Sequence, residues 1–346
     1  MNRSIFEKLS IDYPWEDHLY DLTPVEEKRD PKGSLYFKRE DFFAPLGYGG
    51  INGSKLRQGI FLGNKYANHP EIEYIVGGMS YHSPQLIMQS AIAKHFGKKV
   101  ICVTSGTSQN ALKHEMIRGA QWFGSSLVCN INPPYNGVLQ KKCREVRSKL
   151  GESRTFYLEY GITLGFEHPF KEIFDFHEVG ANQVRNIPEE IKSLIVPFGS
   201  ANSATSILLG LSMYPKENLK DIYLFGVGPD KREYLTKRLE GMSRFSGVDT
   251  CIFEGLEYSS PKKNFKYKIH YIPPKYTYAD LVYHTFEDIK FHPTYEGKVF
   301  DVMKNSLPEL ITPETLFWIV GSEPSIEAME PYYEGEDLSV LKEFKI

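Results

Sequence analysis

The most regular feature of the chain is a series of short apolar runs, each followed by a cluster of small or polar residues and then by a segment with helical spacing of apolar positions. The predicted strands are residues 74–76, 100–103, 126–129, 194–197, 222–225 and 317–320, and the clearest predicted helices are residues 86–96, 111–123 and 204–214. Strands that alternate with helices predict a mainly parallel sheet covered on both faces. Functional groups of such sheets gather in the loops that follow the carboxyl ends of the strands.

Two segments depart from this pattern. Residues 155–186 are the least regular part of the chain, which predicts a crossing between two domains. Residues 261–278 alternate aromatic and basic side chains, which predicts a strand with one apolar and one cationic face. The basic residues there are Lys262, Lys263, Lys266, Lys268 and Lys275, and the aromatic residues are Phe265, Tyr267, Tyr271, Tyr276 and Tyr278.

Composition narrows the class of protein. The chain has 346 residues, of which 41% are hydrophobic and 25% charged, so we expect a folded protein of two domains or of one large interlocked domain. Its net charge of -3 provides no overall basic field for a nucleic acid or a membrane. The four cysteines form no CxxC pair, and no apolar segment is long enough to span a membrane. These features predict a cytoplasmic protein without a metal site or a membrane contact.

Two loops carry candidate chemistry in the first half of the chain. Lys55 follows Gly53 and Ser54 at the start of a predicted helix, where the helix dipole disfavours the ammonium form and favours a nucleophilic amine. Ser80 follows the first predicted strand, and its hydroxyl and the nearby backbone N–H groups suit a carboxylate.

A third loop, again between a strand and a helix, is suited to a phosphate. It consists of Gly199, Ser200, Ala201, Asn202 and Ser203. Small residues let the backbone approach an anion, and the hydroxyls of Ser200, Ser203 and Thr205 add donors. No lysine follows as in a Walker A loop, which favours a phosphate on a small cofactor over a nucleoside triphosphate.

Taken singly, these loops are more typical of capped helices than of binding sites. Taken together, their order and spacing resemble those of the fold type II pyridoxal-phosphate enzymes, which form the tryptophan synthase β superfamily. The resemblance is closest to the branch of 1-aminocyclopropane-1-carboxylate deaminase and D-cysteine desulfhydrase. It rests on residues 38–41, 54–57, 80–85, 199–203 and 293–298 and spans residues 35–325. It implies an α/β fold of two domains, each a mainly parallel twisted sheet covered by helices, with pyridoxal 5'-phosphate (PLP) in the cleft between them.

The resemblance also implies domain limits and an oligomeric state. Residues 1–57 and 180–346 would form the large cofactor-binding domain, and residues 58–179 the small domain. Enzymes of this type are commonly dimers, so we expect a homodimer.

The resemblance further implies a role for each site residue. Lys55 would be the Schiff-base lysine and a general base, and Glu296 would hydrogen-bond the pyridine nitrogen. Tyr295 would face the cofactor as an acid–base or gating phenol. The residues expected to hold the rest of the cofactor are Tyr81, Gly199, Ser200, Ala201, Asn202, Ser203 and Ser322. Those expected to hold the substrate are Ser80, His82 and Gln85, and Ser80 is also expected to be catalytic.

Two residues depart from the family pattern. Tyr81 stands where the family has the Asn that hydrogen-bonds the phenolic oxygen of the cofactor, so that contact is lost, supplied by another residue or made by the tyrosine hydroxyl. Asn202 replaces a loop glycine, which is tolerable because Asn accepts a left-handed backbone better than most residues.

Three functions stay open at this stage. The first is a deaminase or lyase that forms a Cα carbanion from a free amino acid. The second is a PLP enzyme that decarboxylates or isomerises an amino acid carried by a modified nucleic-acid base, which the cationic and aromatic residues 261–278 would help to bind. The third is a cofactor-free binding protein, for which the only indication is Tyr81.

Overall fold

The structure is a computed structural model that describes residues 9–31, 33–132, 135–258, 265–329 and 341–345. Its strands are β1 (Val25–Asp30), β2 (Gly33–Arg39), β3 (Tyr74–Met79), β4 (Lys99–Ser105), β5 (Ser126–Ile131), β6 (Thr155–Tyr157), β7 (Ser193–Phe198), β8 (Asp221–Gly226), β9 (Phe253–Glu254), β10 (Tyr267–Ile272), β11 (Thr285–Phe286), β12 (Ile289–Lys290) and β13 (Thr315–Ile319). Its α-helices are α1 (Ser54–Leu62), α2 (Gln85–His95), α3 (Ser108–Ala111), α4 (Glu115–Trp122), α5 (Asn136–Leu150), α6 (Phe170–Ala181), α7 (Asn202–Met213), α8 (Arg232–Ser246), α9 (Glu296–Ser306) and α10 (Ile326–Met329).

The chain divides into two compact units. The first comprises the described parts of residues 1–19, 44–164 and 324–346, and the second those of residues 20–43 and 165–323. The predicted domain limits, after residues 57 and 179, do not coincide with the ends of these units. The assignment of the domains themselves stays a prediction.

The first unit is built on a parallel sheet of four strands in the order β5-β4-β3-β6. Val76, Ile101 and Val103 pack in its core against Leu139 and Val146 of α5. Strands buried on both faces must be apolar throughout, which is why β3 and β4 were recognisable as continuous apolar runs.

The second unit is built on a sheet of seven strands in the order β1-β2-β13-β7-β8-β10-β9. All its neighbours are parallel except β1 and β2, which form an antiparallel hairpin at one edge. Phe37, Phe291, Phe300 and Phe317 pack together in its core. A separate two-stranded ribbon pairs β11 with β12.

The structure confirms all six predicted strands but corrects two predicted segments. The helix predicted over residues 111–123 is interrupted, because α3 ends at Ala111 and α4 begins only at Glu115. Residues 155–186 are more regular than predicted, since they include β6 and the twelve-residue helix α6. The division between the two units falls within this segment, after Leu164.

The predicted strand with one apolar and one cationic face corresponds to β10. Tyr267 and Ile269 are buried, and Lys268 between them is exposed. Residues 261–264, with Lys262 and Lys263, lie outside the described residues. In the described parts of the chain, no helix is long and apolar enough to cross a membrane.

Candidate active site

The candidate site of the second unit lies at the carboxyl ends of β7 and β13. These strands are parallel neighbours, so the loops that follow them, residues 199–201 and 320–323, leave the sheet at the same edge. Glu296, the first residue of α9, is tied to this edge because the backbone N–H of Val320 donates to its Oε1 at 2.9 Å. The sheet therefore brings the predicted phosphate loop, Ser322 and Glu296 to one edge.

Glu296 is an unusual carboxyl group. Its side chain is completely buried, and among the described residues no hydrogen bond is made to its Oε2. Burial raises the pKa of Glu296 to about 8, and nearby backbone N–H groups, that of Val320 among them, oppose this rise only in part. A buried carboxyl oxygen without a partner is costly, so Oε2 requires either a proton or a ligand atom opposite it.

The predicted phosphate loop has the expected position but a different backbone. Ala201, with φ of 70°, is the left-handed residue that precedes α7, whereas Asn202 is the first residue of the helix. The left-handed position of the loop therefore falls on Ala201, one residue before Asn202. A left-handed alanine is strained by about 1 kcal/mol or more, and such strain is often retained at functional loops.

The hydroxyl groups near this loop differ in what they can offer to an anion. Thr205 is buried and its hydroxyl donates to the carbonyl oxygen of Ala201 at 2.8 Å, so it is committed to the helix. Ser200 and Ser203 are half-buried, as is Gly199. The backbone N–H groups at the start of α7, together with Ser200 and Ser203, remain the candidate ligands of a phosphate.

Tyr295 and Ser322 complete the predicted residues of the second unit. Tyr295 immediately precedes α9, and its hydroxyl lies 2.9 Å from that of Tyr278. Ser322 is half-buried and follows β13 by three residues. Both occupy the same edge of the sheet as Glu296, and their predicted roles toward the cofactor stay predictions.

In the first unit, Lys55 is the second residue of α1. The residue before the helix is Gly53, whose φ of 94° a glycine adopts without the strain of a side chain. Lys55 is half-buried, between the buried Ser54 and Leu56. The predicted Gly-Ser-Lys entry into a helix is confirmed as local structure.

The loop between β3 and α2 contains the predicted substrate residues. Ser80 is half-buried, and its hydroxyl accepts a 3.5 Å contact from the backbone N–H of His82. The hydroxyl of Ser83 accepts from the backbone N–H of Gln85 at the start of α2. Ser83 therefore stabilises the turn before α2, and the Ser80 hydroxyl, with one long contact, lies at the carboxyl end of β3.

Gln85 has a structural function in the first unit. Its side-chain Nε2 donates to the carbonyl oxygen of Glu159, and its Oε1 accepts from the backbone N–H of Gly161 at 2.8 Å. Gln85 is only 3% exposed. These contacts favour a role in holding the turn at residues 159–161 over the predicted contact with substrate.

Tyr81 and His82 form a ring cluster with a third residue that the sequence did not single out, His114. The ring centroid of Tyr81 lies 4.0 Å from that of His82 and 4.1 Å from that of His114. His114 follows the neighbouring strand β4 after the short helix α3, so the two loops meet at the same edge of the parallel sheet. No motif includes His114, and only the pairing of β3 with β4 could have indicated it.

The described residues contain no cluster of His, Cys, Asp or Glu that could hold a metal ion. The donor set instead fits a phosphorylated heterocycle. The start of α7 suits a phosphate dianion, and Oε2 of Glu296, buried and without a partner among the described residues, suits a ring nitrogen that shares its proton.

Comparison with known proteins defines the class. No family model matches the chain. The O-seryl-dTMP PLP-dependent decarboxylase of Salmonella phage ViI is 36% identical to it, in an alignment that covers 95% of this chain and 88% of that protein. The chain therefore belongs to the PLP-dependent enzymes of fold type II.

Solved structures show the same fold. An ACC deaminase homologue superposes with a TM-score of 0.65 at 16% identity and covers 94% of this chain and 96% of its own. O-ureido-L-serine synthase superposes with a TM-score of 0.51 at 12% identity and covers 98% of both chains. The predicted fold class and the predicted family are thus confirmed.

Proposed function

We propose that this chain is a PLP-dependent decarboxylase that acts on an amino acid carried by a nucleotide. The observation that carries this proposal is the 36% identity, over nearly the whole chain, to a decarboxylase named for O-seryl-dTMP. It favours the second of the three functions that the sequence left open over the free-amino-acid deaminase.

The proposed reaction breaks the bond between Cα and the carboxylate of the seryl group. Carbon dioxide leaves, the electron pair stays at Cα, and a proton then replaces the lost carboxylate to give an amine. When bound, PLP supplies an electron sink for that pair. The rest of the task, binding and proton transfer, falls to side chains of this chain.

Lys55 is proposed to bind the cofactor covalently and to move the proton at Cα. Its place in the first turn of α1 supports this role, because the N-terminal end of a helix dipole disfavours an ammonium ion and favours the free amine. Ser80 is proposed to bind the substrate carboxylate through its hydroxyl. In this proposal Gln85 positions the loop and does not touch the substrate.

Glu296 is proposed to hold a proton at Oε2 opposite the pyridine nitrogen. Its raised pKa, about 8, means that the buried carboxyl keeps a proton near neutral pH until a basic nitrogen takes it. The resulting ion pair would be buried and charge-assisted, which suits a group that must stay protonated during the reaction. Gly199, Ser200, Ala201, Asn202 and Ser203 are proposed to bind the phosphate.

The proposal is tested by supplying the PLP-loaded protein with O-seryl-dTMP, with free L-serine and with O-methyl-L-serine. We expect release of CO2 and formation of the aminoethyl-linked nucleotide from the first substrate, and no CO2 from free L-serine. Mass spectrometry of the nucleotide product, which loses the mass of CO2, gives the second readout.

The same assay tests the competing function, a deaminase of free amino acids. A deaminase would release ammonia and leave a keto acid, without CO2. Ammonia from free amino acids, together with no CO2 from O-seryl-dTMP, would overturn the proposal in favour of the deaminase.

A further inference from the structure

The ring cluster of Tyr81, His82 and His114 is the feature of the first unit that the chemistry described above does not use. The centroids of the two imidazoles are 5.6 Å apart, with their planes at 77°. Tyr81 lies within 4.1 Å of both. Because β3 and β4 are parallel neighbours, the cluster lies at the same sheet edge as Ser80.

The cluster is accessible and its shape is defined. His82 is exposed, whereas Tyr81 and His114 are half-buried. Behind Tyr81 the backbone comes close at Gly106, where an added Cβ would lie 3.5 Å from the tyrosine ring. A ring inserted between two others needs them about 7 Å apart, twice the ordinary contact distance of ~3.5 Å. A ligand ring therefore has to stack on the outer, exposed side of the cluster.

The chemistry of the cluster favours a neutral heterocycle over an anion. Burial and the neighbouring His114 lower the pKa of His82, and burial lowers the pKa of His114, so both imidazoles are uncharged near neutral pH. Uncharged rings attract a phosphate or a carboxylate only weakly. A neutral imidazole instead offers one hydrogen-bond donor, one acceptor and a π-face.

The ring nitrogens have hydrogen-bonding capacity to spare. Neither imidazole hydrogen-bonds to another described residue through its side chain; the contact of His82 with Ser80 uses the His82 backbone N–H. A thymine-type pyrimidine base carries carbonyl acceptors beside an imide N–H donor, which matches a pair of neutral imidazoles. Stacking on rings of this kind is the usual way in which proteins hold unpaired bases.

We infer that Tyr81, His82 and His114 bind the pyrimidine base of the nucleotide that carries the substrate amino acid. This inference rests on the proposed function for the presence of a base, and it adds the residues that recognise the base. The base belongs either to a free nucleotide or to one in a DNA strand, and both present the same ring to the cluster.

The test measures binding to the PLP-loaded protein and not turnover. The ligands are dTMP, 2-deoxyribose 5-phosphate as the same molecule without its base, and a single-stranded oligo(dT). The variants are His82→Asn and His114→Asn, which keep polarity and lose the ring, and His82→Phe and His114→Phe, which keep the ring. His69→Asn, an exposed histidine elsewhere in the same unit, is the matched control.

We expect wild type to bind dTMP more tightly than 2-deoxyribose 5-phosphate. Each Asn variant should weaken dTMP binding about tenfold, each Phe variant, which keeps the stacking face but loses the ring nitrogens, should weaken it less, and the control should not change it. Binding of 2-deoxyribose 5-phosphate should be the same in all proteins. Cofactor retention and thermal unfolding identify any variant that fails to fold. If the variants at one histidine fail to fold, the binding measurements on the variants at the other histidine provide the test.

The outcomes separate the two proposals. Equal affinity of wild type for dTMP and 2-deoxyribose 5-phosphate, with no binding of oligo(dT), would overturn the inference, as would Asn variants with unchanged affinity for the base. Binding of oligo(dT) alone, lost in the Asn variants, would assign the base to a DNA strand. The wild type could also bind the base but release no CO2 from O-seryl-dTMP. If the Asn variants then lose base binding, the inference is supported and the proposed function is overturned.

Discussion

The two units place their chemical groups at strand ends in opposite ways. In the second unit Glu296 is completely buried, and the predicted phosphate loop contains a left-handed Ala201 directly before α7. In the first unit the groups after β3 and β4 are partly open to solvent, with His82 exposed and Tyr81 and His114 half-buried. The clearest difference is thus between a completely buried carboxyl group in the second unit and partly exposed aromatic rings in the first.

The difference in burial indicates which groups suit the cofactor and which suit the substrate. A buried carboxyl group and a helix start suit a cofactor that stays bound. If the cofactor left and returned at each turnover, its polar groups would have to lose their bound water each time. Accessible rings suit a substrate that enters and leaves at each turnover. The departure of Tyr81 from the family pattern lies among these partly exposed residues, so we expect Glu296 and the predicted phosphate loop to keep the family's way of holding the cofactor and the residues after β3 and β4 to set the substrate preference.

The largest expected effect concerns Lys55. Replacement by Ala should lower turnover about 10³-fold, because it removes both the covalent attachment and the proton-transferring amine. Borohydride reduction of wild type followed by peptide mapping should place the pyridoxyl group on Lys55. Lys141→Ala, at an exposed position of α5, is the control. A label on any other lysine would contradict the assignment.

Glu296→Gln should change how stability depends on pH. The folded pKa of Glu296, about 8, lies above the usual value of 4.5, so the folded state binds the proton more tightly and stability falls as the pH rises through this window. The cofactor-free wild type should lose on the order of 3 kcal/mol between pH 5 and pH 8 from this group, and the Gln variant should not.

Urea unfolding at both pH values checks this prediction. Glu217→Gln, at an exposed position of the second unit, is the control and should behave as wild type. Equal pH dependence in wild type and Glu296→Gln would show that the carboxyl is not desolvated as the fold implies. It would also remove the reason to place a ring nitrogen opposite Oε2.

Gln85→Leu distinguishes a structural from a substrate-binding glutamine. The substitution removes both side-chain partners of the 159–161 turn and should destabilise the protein by about 2 kcal/mol. Thermal unfolding measures this loss, and KM for substrate should change little in the folded fraction. A large rise in KM at unchanged stability would instead support the predicted contact of Gln85 with the substrate.

Replacing Ser200 and Ser203 together by Ala should weaken PLP binding about fivefold, near 1 kcal/mol, because the backbone donors at the start of α7 remain. Ser212→Ala is the matched control, since Ser212 lies on the same helix and donates to Leu208. Fluorescence titration of the cofactor-free protein gives the affinities. An unchanged affinity in the double variant would leave the phosphate to the backbone alone.

The central strands were predictable from the sequence and the sheet edges were not. Strands buried on both faces, such as β7 and β8, are marked by their apolar residues. The hairpin of β1 and β2 at the edge was missed because β1 is charged along most of its length and pairs on one side only. Edge strands of this kind are determined by their partner and carry little signal of their own.

The candidate site was predictable where its residues are consecutive. Lys55, Glu296 and the loop at residues 199–203 each lie in a short motif at a helix start that the sequence indicated, although the left-handed Ala201 was not expected. His114 could not be found in this way, because it joins Tyr81 only through the pairing of β3 with β4. The burial of Glu296, and hence its raised pKa, likewise depends on the whole fold of its unit.

The smallest expected effect concerns Lys266 and Lys268, which the sequence offered as a contact for nucleic acid. Lys268 pairs with Asp221, the first residue of β8, so it lies at the amino end of the strands. Ile272, at the carboxyl end of β10, is four residues further on, or about 13 Å at the rise of a parallel strand. Both lysines are exposed and lie at the amino ends of the strands, whereas Glu296 lies at the carboxyl ends. A charged face there mainly keeps the sheet soluble.

Replacing both Lys266 and Lys268 by Ser should therefore leave the affinity for dTMP and the salt dependence of oligo(dT) binding unchanged. A drop of one or two in the slope of log affinity against log salt would show that these lysines contact phosphates after all.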